Sequence, residues 1–263
     1  MPLADIKAVI SDMDGVLWRG TRLLPGMHDL FSEMRARDLP VVLATNNSGR
    51  HPEAYVQRLA DKGVAGIDAA QIITSGTATA DTLREQYPDG ARLHVIGEAG
   101  LRQVLEEAGF VLVDSGTDVD AVVCGIDFDF TYAKARHATL LIRNHGAAFI
   151  GTNPDVTFPS PAGLVPGAGS VIGMIEIATD VAPQIIGKPR PAMFHVALER
   201  LGTSAHETLM IGDRLNTDIE GAQALGIQTA MVLTGVNTRD DIAQSEIKPD
   251  YIFEDLPDLL GNW

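Results

Sequence analysis

The chain of 263 residues contains a single cysteine, Cys124. One thiol cannot close an internal disulfide, and a cysteine-rich zinc site is excluded with it. It fits a reducing compartment. Basic residues are also scarce: 20 Lys and Arg stand against 35 Asp and Glu, a formal net charge of −15. Such a surface argues against wrapping nucleic acid and against docking on anionic membranes. Any anionic ligand must be held by a local positive site working against the global field. No apolar run approaches the roughly 20 residues needed to span a bilayer. Residues 1–14 show no basic segment followed by an apolar stretch, so no signal peptide is visible. A cytoplasmic protein with no nucleic-acid or membrane partner is expected.

What is present is an ordinary globular balance, 45% hydrophobic and 21% charged residues, which excludes wholesale disorder. The length admits one large domain or two smaller ones. Short apolar runs alternate with amphipathic stretches. Strands are predicted at 8–10, 41–44, 72–73, 93–96, 110–113, 121–124, 147–150, 184–186, 209–211 and 229–233. Helices are predicted at 27–37, 52–62, 77–86, 99–108, 132–144, from the end of a Gly/Pro-rich stretch (152–169) to about 179, and at 191–201 and 218–225. Strand followed by helix implies parallel βαβ units and an α/β sheet. The continuous apolar runs suit strands covered on both faces.

Four of these strands end in polar groups: Asp12-Met13-Asp14-Gly15, Thr45-Asn46-Asn47-Ser48, Gly187-Lys188-Pro189 and Gly212-Asp213-Arg214-Leu215-Asn216-Thr217-Asp218. Ligands in open α/β sheets bind outside the carboxyl ends of the strands. If the four strands lie together, their ends form a site for a hard divalent cation and a phosphate. Mg²⁺ takes carboxylate oxygens, and Asp12, Asp14 and Asp213 offer them. Lys188 supplies a compact positive charge, Thr45 a hydroxyl, and Asn46 and Asn47 open a loop whose backbone amides can cradle an anion. Each motif alone has a bland reading. Asp-x-Asp-Gly is commonly a turn, Lys188 a solvated loop lysine, and Asp218 the N-cap of its helix. Six of the seven histidines, at 51, 94, 137, 145, 195 and 206, show no ligand spacing and read as surface or core. Trp18 and Arg19 read as packing beside the Asp12 loop.

Taken in order, the four motifs resemble the haloacid dehalogenase (HAD) superfamily of phosphatases, over nearly the whole chain. Asp12 to Leu17 resembles its DxDGxL/T motif, Thr45 its second, Lys188 its third, and Gly212-Asp213 with Asp218 its fourth. The stretches from Asp14 to Gly20, Thr45 to Ser48, Gly212 to Leu215, Thr152 to Asp155 and Val165 to Gly169 resemble the NagD-type, para-nitrophenyl phosphatase-like branch. The resemblance implies a Rossmann-like parallel-sheet core at 1–80 and 181–263, with an inserted α/β (C2-type) cap at 81–180. It implies Asp12 as nucleophile, Asp14 as general acid and base, and phosphate held by Thr45, Asn46, Asn47 and Lys188. It implies Mg²⁺ on Asp12, Asp213 and the Asp14 carbonyl, with Asp218 orienting Lys188 or the ligands from behind.

The segment 81–180 carries 14 acidic and 6 basic residues, so the cap is no basic funnel for phosphate. It is expected to read the leaving group, with Asp127, Phe128, Asp129, Tyr132, Phe158 and the segment 155–161 as candidates. The expected activity is hydrolysis of a small phosphorylated metabolite, of sugar phosphate, nucleotide, phosphoglycolate or pyridoxal phosphate type, through an aspartyl-phosphate. A phosphomutase-like transfer enzyme and a non-catalytic phospho-ligand binder are the alternatives. Relatives dimerise through the cap, which makes a homodimer a candidate assembly.

Overall fold

The structure, a computed structural model, describes residues 3–160 and 163–263, with the side chains of 159 and 160 outside the description. The chain divides into two compact units. The first comprises Met1–Thr45, Pro52–Ile73 and Lys188–Trp263, the second Asn46–His51 and Thr74–Gly187.

The first unit is built on a six-stranded sheet. Across it the order is Tyr251–Phe253, Gln228–Val232, Thr208–Gly212, Ala8–Ser11, Val41–Thr45, Ile72–Thr74. Every strand pairing recorded in it is parallel. The chain leaves Ala8–Ser11 toward Val41–Thr45 on one side, then returns through Thr208–Gly212 on the other. That reversal puts the topological switch point beside Ala8–Ser11, where a ligand crevice is expected. Ala8–Ser11, Val41–Thr45 and Thr208–Gly212 are buried at every residue, as the continuous apolar runs require. Leu30, Phe31 and Met34 from helix Met27–Ala36 join Leu256 and Leu259 from Leu256–Gly261 in the same core as Val9, Leu43 and Ile211.

The second unit has its own parallel sheet, ordered Gln184–Ile185, Ala148–Gly151, Ala121–Cys124, Arg92–Ile96, Val111–Leu112. Helices Tyr132–His145 and Ala168–Thr179 pack Ala138, Leu141, Ile172 and Ile175 against Ile96, Val122 and Cys124. Thr131 caps the first of these helices by accepting from the Lys134 N–H, and Gly146 ends it at φ 71°, where glycine alone avoids a steric penalty.

Architecture and class match the expectation, and several details differ. The inserted segment was expected at 81–180. The second unit instead takes in all of helix Ser75–Gln86, which packs on Ala99–Glu107, and the strand Gln184–Ile185, which pairs with Ala148–Gly151. The Gly/Pro-rich stretch is not irregular throughout: Thr157–Ser160 and Gly163–Pro166 form an antiparallel hairpin. A two-stranded ribbon has only edge strands, so its prolines cost no internal ladder bond. The helix expected from Asp218 begins earlier, as a π-turn at Leu215–Ile219 that runs into Glu220–Gln223. Asp218 therefore lies inside the turn and is not its N-cap. Among the described residues, no helix is long and apolar enough to cross a membrane.

Candidate active site

Three strand ends of the first unit deliver the site. The chain leaves Ala8–Ser11 at Asp12, and the next residues hang on one carbonyl: Met13 C=O accepts from the N–H groups of Leu17 and Trp18 at 2.9 and 3.3 Å. Gly15 turns the chain at φ 96°, a region costly for any residue with a Cβ. A Cβ there would also lie 2.4 Å from an Asp213 carboxylate oxygen. Glycine is required twice over, because the Asp12 loop passes directly across Asp213.

Lys188 is the hub. It is only 2% exposed, and its Nζ donates to Asp12 Oδ1 at 2.6 Å, Asp218 Oδ1 at 2.7 Å and the Ala44 carbonyl at 2.9 Å. All three protons of the ammonium are thereby used. Burial opposes its charge, but Asp12 and Asp218 outweigh that and hold the lysine above its ordinary range. Asp218 is fully committed: its second oxygen accepts from the N–H groups of Asp213 and Arg214 at 3.2 and 3.1 Å. Those two bonds also explain the π-turn, since they draw Asp218 back toward the strand end.

Asp213 is 1% exposed. Its Oδ2 accepts from the Val236 N–H at 2.7 Å, while its Oδ1 is buried with no hydrogen-bond partner. Burial and the Asp218 charge push its pKa up to about 7. Burial, together with the charges of Asp218 and Asp213, likewise raises Asp12 despite Lys188. Carboxylate oxygens of Asp12, Asp213 and Asp218 lie within 4.8 Å of one another. Three carboxylates face one ammonium, so the cluster lacks positive charge. Hard oxygen donors, an orphaned buried oxygen and missing positive charge together fit a divalent cation. Asp12 and Asp213 have oxygens to give it, whereas both Asp218 oxygens are already engaged.

Asp14 reaches solvent, yet protein crowds its carboxyl. That desolvation raises its pKa above the usual aspartate value, against the opposing pull of Arg58 and of the Trp18 N–H. The Trp18 indole donates to Asp14 Oδ1 at 2.9 Å. Thr45 is buried at the end of its strand. Asn46 and Asn47 fall in the second unit. The Asn46 carbonyl accepts there from Ser75 and Asn153 at 2.6 and 2.7 Å, its amide donates to Asp155, and Asn47 Oδ1 accepts from the Gly49 N–H.

The second unit also holds Asp127, Phe128 and Phe158. Asp127 is buried and forms a two-oxygen ion pair with Lys134 at 2.7 and 3.0 Å, so its carboxylate is already satisfied. Phe128 is 69% exposed and meets Phe158 edge-on at 6.0 Å. Both line an apolar hollow of about 540 Å³ with Phe130, Val165 and Val171. Position 161 lies outside the described residues.

Sequence reasoning missed three supports. Trp18, read as packing, bonds directly to Asp14. Arg58 sits over the Trp18 ring. The loop at 234–236 clasps the Asp12 loop: Thr234 donates to the Gly15 carbonyl at 2.6 Å, and Val236 to Asp213. A tryptophan four residues past a site aspartate was the only readable signal among them.

Two family models match this chain, one described as haloacid dehalogenase-like hydrolase over residues 9–111 and one HAD-hydrolase-like over 185–259. An acid sugar phosphatase of Staphylococcus aureus is 40% identical over 257 residues, covering 97% of each chain. A 4-nitrophenylphosphatase from Thermotoga maritima superposes with a TM-score of 0.92 at 34% identity, covering 98% of each chain. A glycerol phosphate phosphatase from Mycobacterium tuberculosis, in complex with magnesium, gives 0.90 at 33% identity over 98% of this chain and 78% of its own.

Proposed function

We propose that this chain, which belongs to the haloacid dehalogenase-like hydrolase family and is one of its phosphatases, hydrolyses small phosphomonoesters through an aspartyl-phosphate on Asp12. The observation that carries the reading is the buried triangle of Asp12, Lys188 and Asp213 at the sheet's switch point. Lys188 fixes Asp12 through one oxygen, leaving the other for attack on phosphorus. The P–O bond to the leaving group breaks as the Asp12–phosphorus bond forms, and the departing alkoxide takes the Asp14 proton. A raised Asp14 pKa favours the protonated form that this step needs. Asp14 then removes a proton from water, which attacks the acyl-phosphate, releases inorganic phosphate and restores Asp12. Lys188, by exchanging one of its present acceptors, and the Thr45 hydroxyl bind phosphoryl oxygens, as do backbone N–H groups of Asn46 and Asn47 next along the chain.

A divalent cation such as Mg²⁺, held by Asp12, Asp213 and the Asp14 carbonyl, would neutralise charge on the phosphoryl group. The orphaned Asp213 oxygen and the magnesium complex of the mycobacterial relative support that choice. Asp218 holds Lys188 and the Asp213 turn from behind. The first unit is the catalytic core, and the second is the cap that reads the leaving group, with Phe128 and Phe158 as its contacts. Cytoplasmic residence and a cap-mediated homodimer belong to the same reading.

The test is phosphate release over a broad panel of sugar, glycerol, nucleoside and aryl phosphates, with Mg²⁺ or EDTA, and with Asp12→Asn alongside. Release that needs Mg²⁺ and is lost in Asp12→Asn is the expected result. Equal release with EDTA, or a fully active Asp12→Asn, refutes the scheme.

A further inference from the structure

Asp14 must present its carboxyl to the leaving oxygen and later to water, yet it lies on a turn with one face to solvent. Free rotation there would waste the group. Two side chains prevent it. The indole N–H of Trp18 donates to Asp14 Oδ1 at 2.9 Å. Trp18 itself is fully buried, and its carbonyl accepts from the Gly15 N–H at 2.7 Å, so donor and acceptor belong to one closed turn. Over the face of the ring, the guanidinium carbon of Arg58 lies 3.9 Å from the ring centroid. Arg58, from helix Pro52–Asp61, also donates to the Gly20 carbonyl. Gly20 is the tip of the small hairpin that pairs Trp18 with Leu23 and Arg19 with Arg22. Arg19 in turn donates to the carbonyls of Thr234 and Gly235, beside the Val236 N–H that holds Asp213. The hairpin is tied on one side to the helix and on the other to the Asp213 loop.

We infer that Trp18 and Arg58 are positioning residues for Asp14: Arg58 clamps the indole, and the indole N–H fixes the carboxylate for proton transfer. The inference rests on the acid–base reading of Asp14 above. A cation over an indole face is favourable, and here it locks the one ring whose polar edge points at a reacting group.

Leaving groups separate positioning from general damage. p-Nitrophenolate departs without a proton, whereas an alkyl phosphate such as glycerol phosphate needs one. Breakdown of the aspartyl-phosphate needs Asp14 in both cases. Rapid-mixing kinetics on p-nitrophenyl phosphate should therefore show Trp18→Phe giving a burst of about one p-nitrophenolate per enzyme. Its burst rate should stay within about threefold of the unsubstituted enzyme, followed by turnover slowed roughly 10- to 100-fold. Glycerol phosphate should show slow turnover and no accumulating intermediate. Arg58→Met should give the same pattern more weakly, and Arg58→Lys, which keeps a cation over the ring, should recover most of it. Arg58 lies partly at the surface, so its variants serve if Trp18→Phe fails to fold.

A burst slowed as much as turnover, with both substrates losing the same factor, makes the pair merely structural and overturns the inference. Unchanged kinetics in Trp18→Phe and Arg58→Met overturn it as well. Asp14→Asn, run in parallel, keeps the underlying reading separate. If it lacks the leaving-group dependence, the role of Asp14 falls; if it has that dependence and the Trp18 and Arg58 variants do not, only the positioning role falls.

Discussion

Replacing Lys188 with methionine removes the one buried lysine or arginine among the described residues and leaves the shape nearly intact. Its Nζ serves Asp12, Asp218 and the Ala44 carbonyl at 2.6, 2.7 and 2.9 Å. Deleting one partner of a buried ion pair costs about 3–5 kcal/mol, because the other charge is left uncompensated. The protein has one escape, which is to protonate a carboxylate. From the ordinary aspartate value of 3.8, that costs about 1.4 kcal/mol per pH unit, or roughly 4 kcal/mol at pH 7 and about 2 at pH 5. Asp12 is already raised by burial, so the escape is open and sets the ceiling. The expected loss is therefore about 3–4 kcal/mol at pH 7, shrinking to about 2 kcal/mol or less at pH 5. That is a large part of the 5–15 kcal/mol available to a typical domain.

The assay is urea unfolding in EDTA followed by tryptophan fluorescence. Both tryptophans, Trp18 and Trp263, lie in the first unit, so the signal reports that unit alone. Adding Asp12→Asn to Lys188→Met should return part of the loss, since it removes a charge the lysine had compensated. A loss below about 1 kcal/mol at pH 7, or one equal at pH 5 and pH 7, would refute the electrostatic account.

Four further outcomes follow from the geometry. Asp213→Ala should abolish the response of activity to added Mg²⁺; an unchanged Mg²⁺ titration would remove Asp213 from the ligand set. Gly15→Ala should destabilise the first unit by about 1–2 kcal/mol through its positive φ. It should also cut turnover at least 100-fold by displacing Asp213, and near-normal rates would contradict the close approach. Burial holds the pKa of His94 below the ordinary 6.5, so the unfolded chain takes up that proton first. Its contribution is complete above pH 6.5 and is lost as pH falls below it; circular dichroism melts of His94→Leu should show a shallower acid-side decline, and parallel curves would exclude this histidine. Phe158→Ala should reorder the substrate panel while sparing p-nitrophenyl phosphate, whereas equal losses on every substrate would take Phe158 out of specificity.

The strands that build both sheets were legible because burial on two faces demands continuous apolar runs, and Ala121–Cys124 and Pro191–Leu201 fall where the pattern puts them. What escaped has a common cause. Tyr251–Phe253 is an edge strand with one exposed residue of three, and Arg239–Gln244 and Leu256–Gly261 have six residues each, too few to show a period. The hairpin at 157–166 hid behind its prolines and glycines. The two-residue strands Trp18–Arg19 and Arg22–Leu23 leave no pattern at all.

The site divides along the same line. Asp12, Asp213 and Asp218 could be gathered from sequence because they follow strands of one parallel sheet, and parallel strands bring their ends together by construction. Lys188 follows Gln184–Ile185, a strand of the other sheet, so the expectation that its strand lies with those three fails and the strand rule does not place it. Nothing comparable announces Arg58. It meets Trp18 only because helix Pro52–Asp61 turns that residue inward, a rotation fixed by the burial of Tyr55, about one turn before it, and of Leu59, the next residue. Val236 contributes a backbone N–H, which every non-proline residue carries, so its identity holds no clue. Sequence thus exposes the groups whose chemistry is rare and whose position follows from topology. The groups that aim them are common residues placed by packing. That is why Asp14 could be marked at once, while the indole that holds it could be found only by following the hydrogen bond.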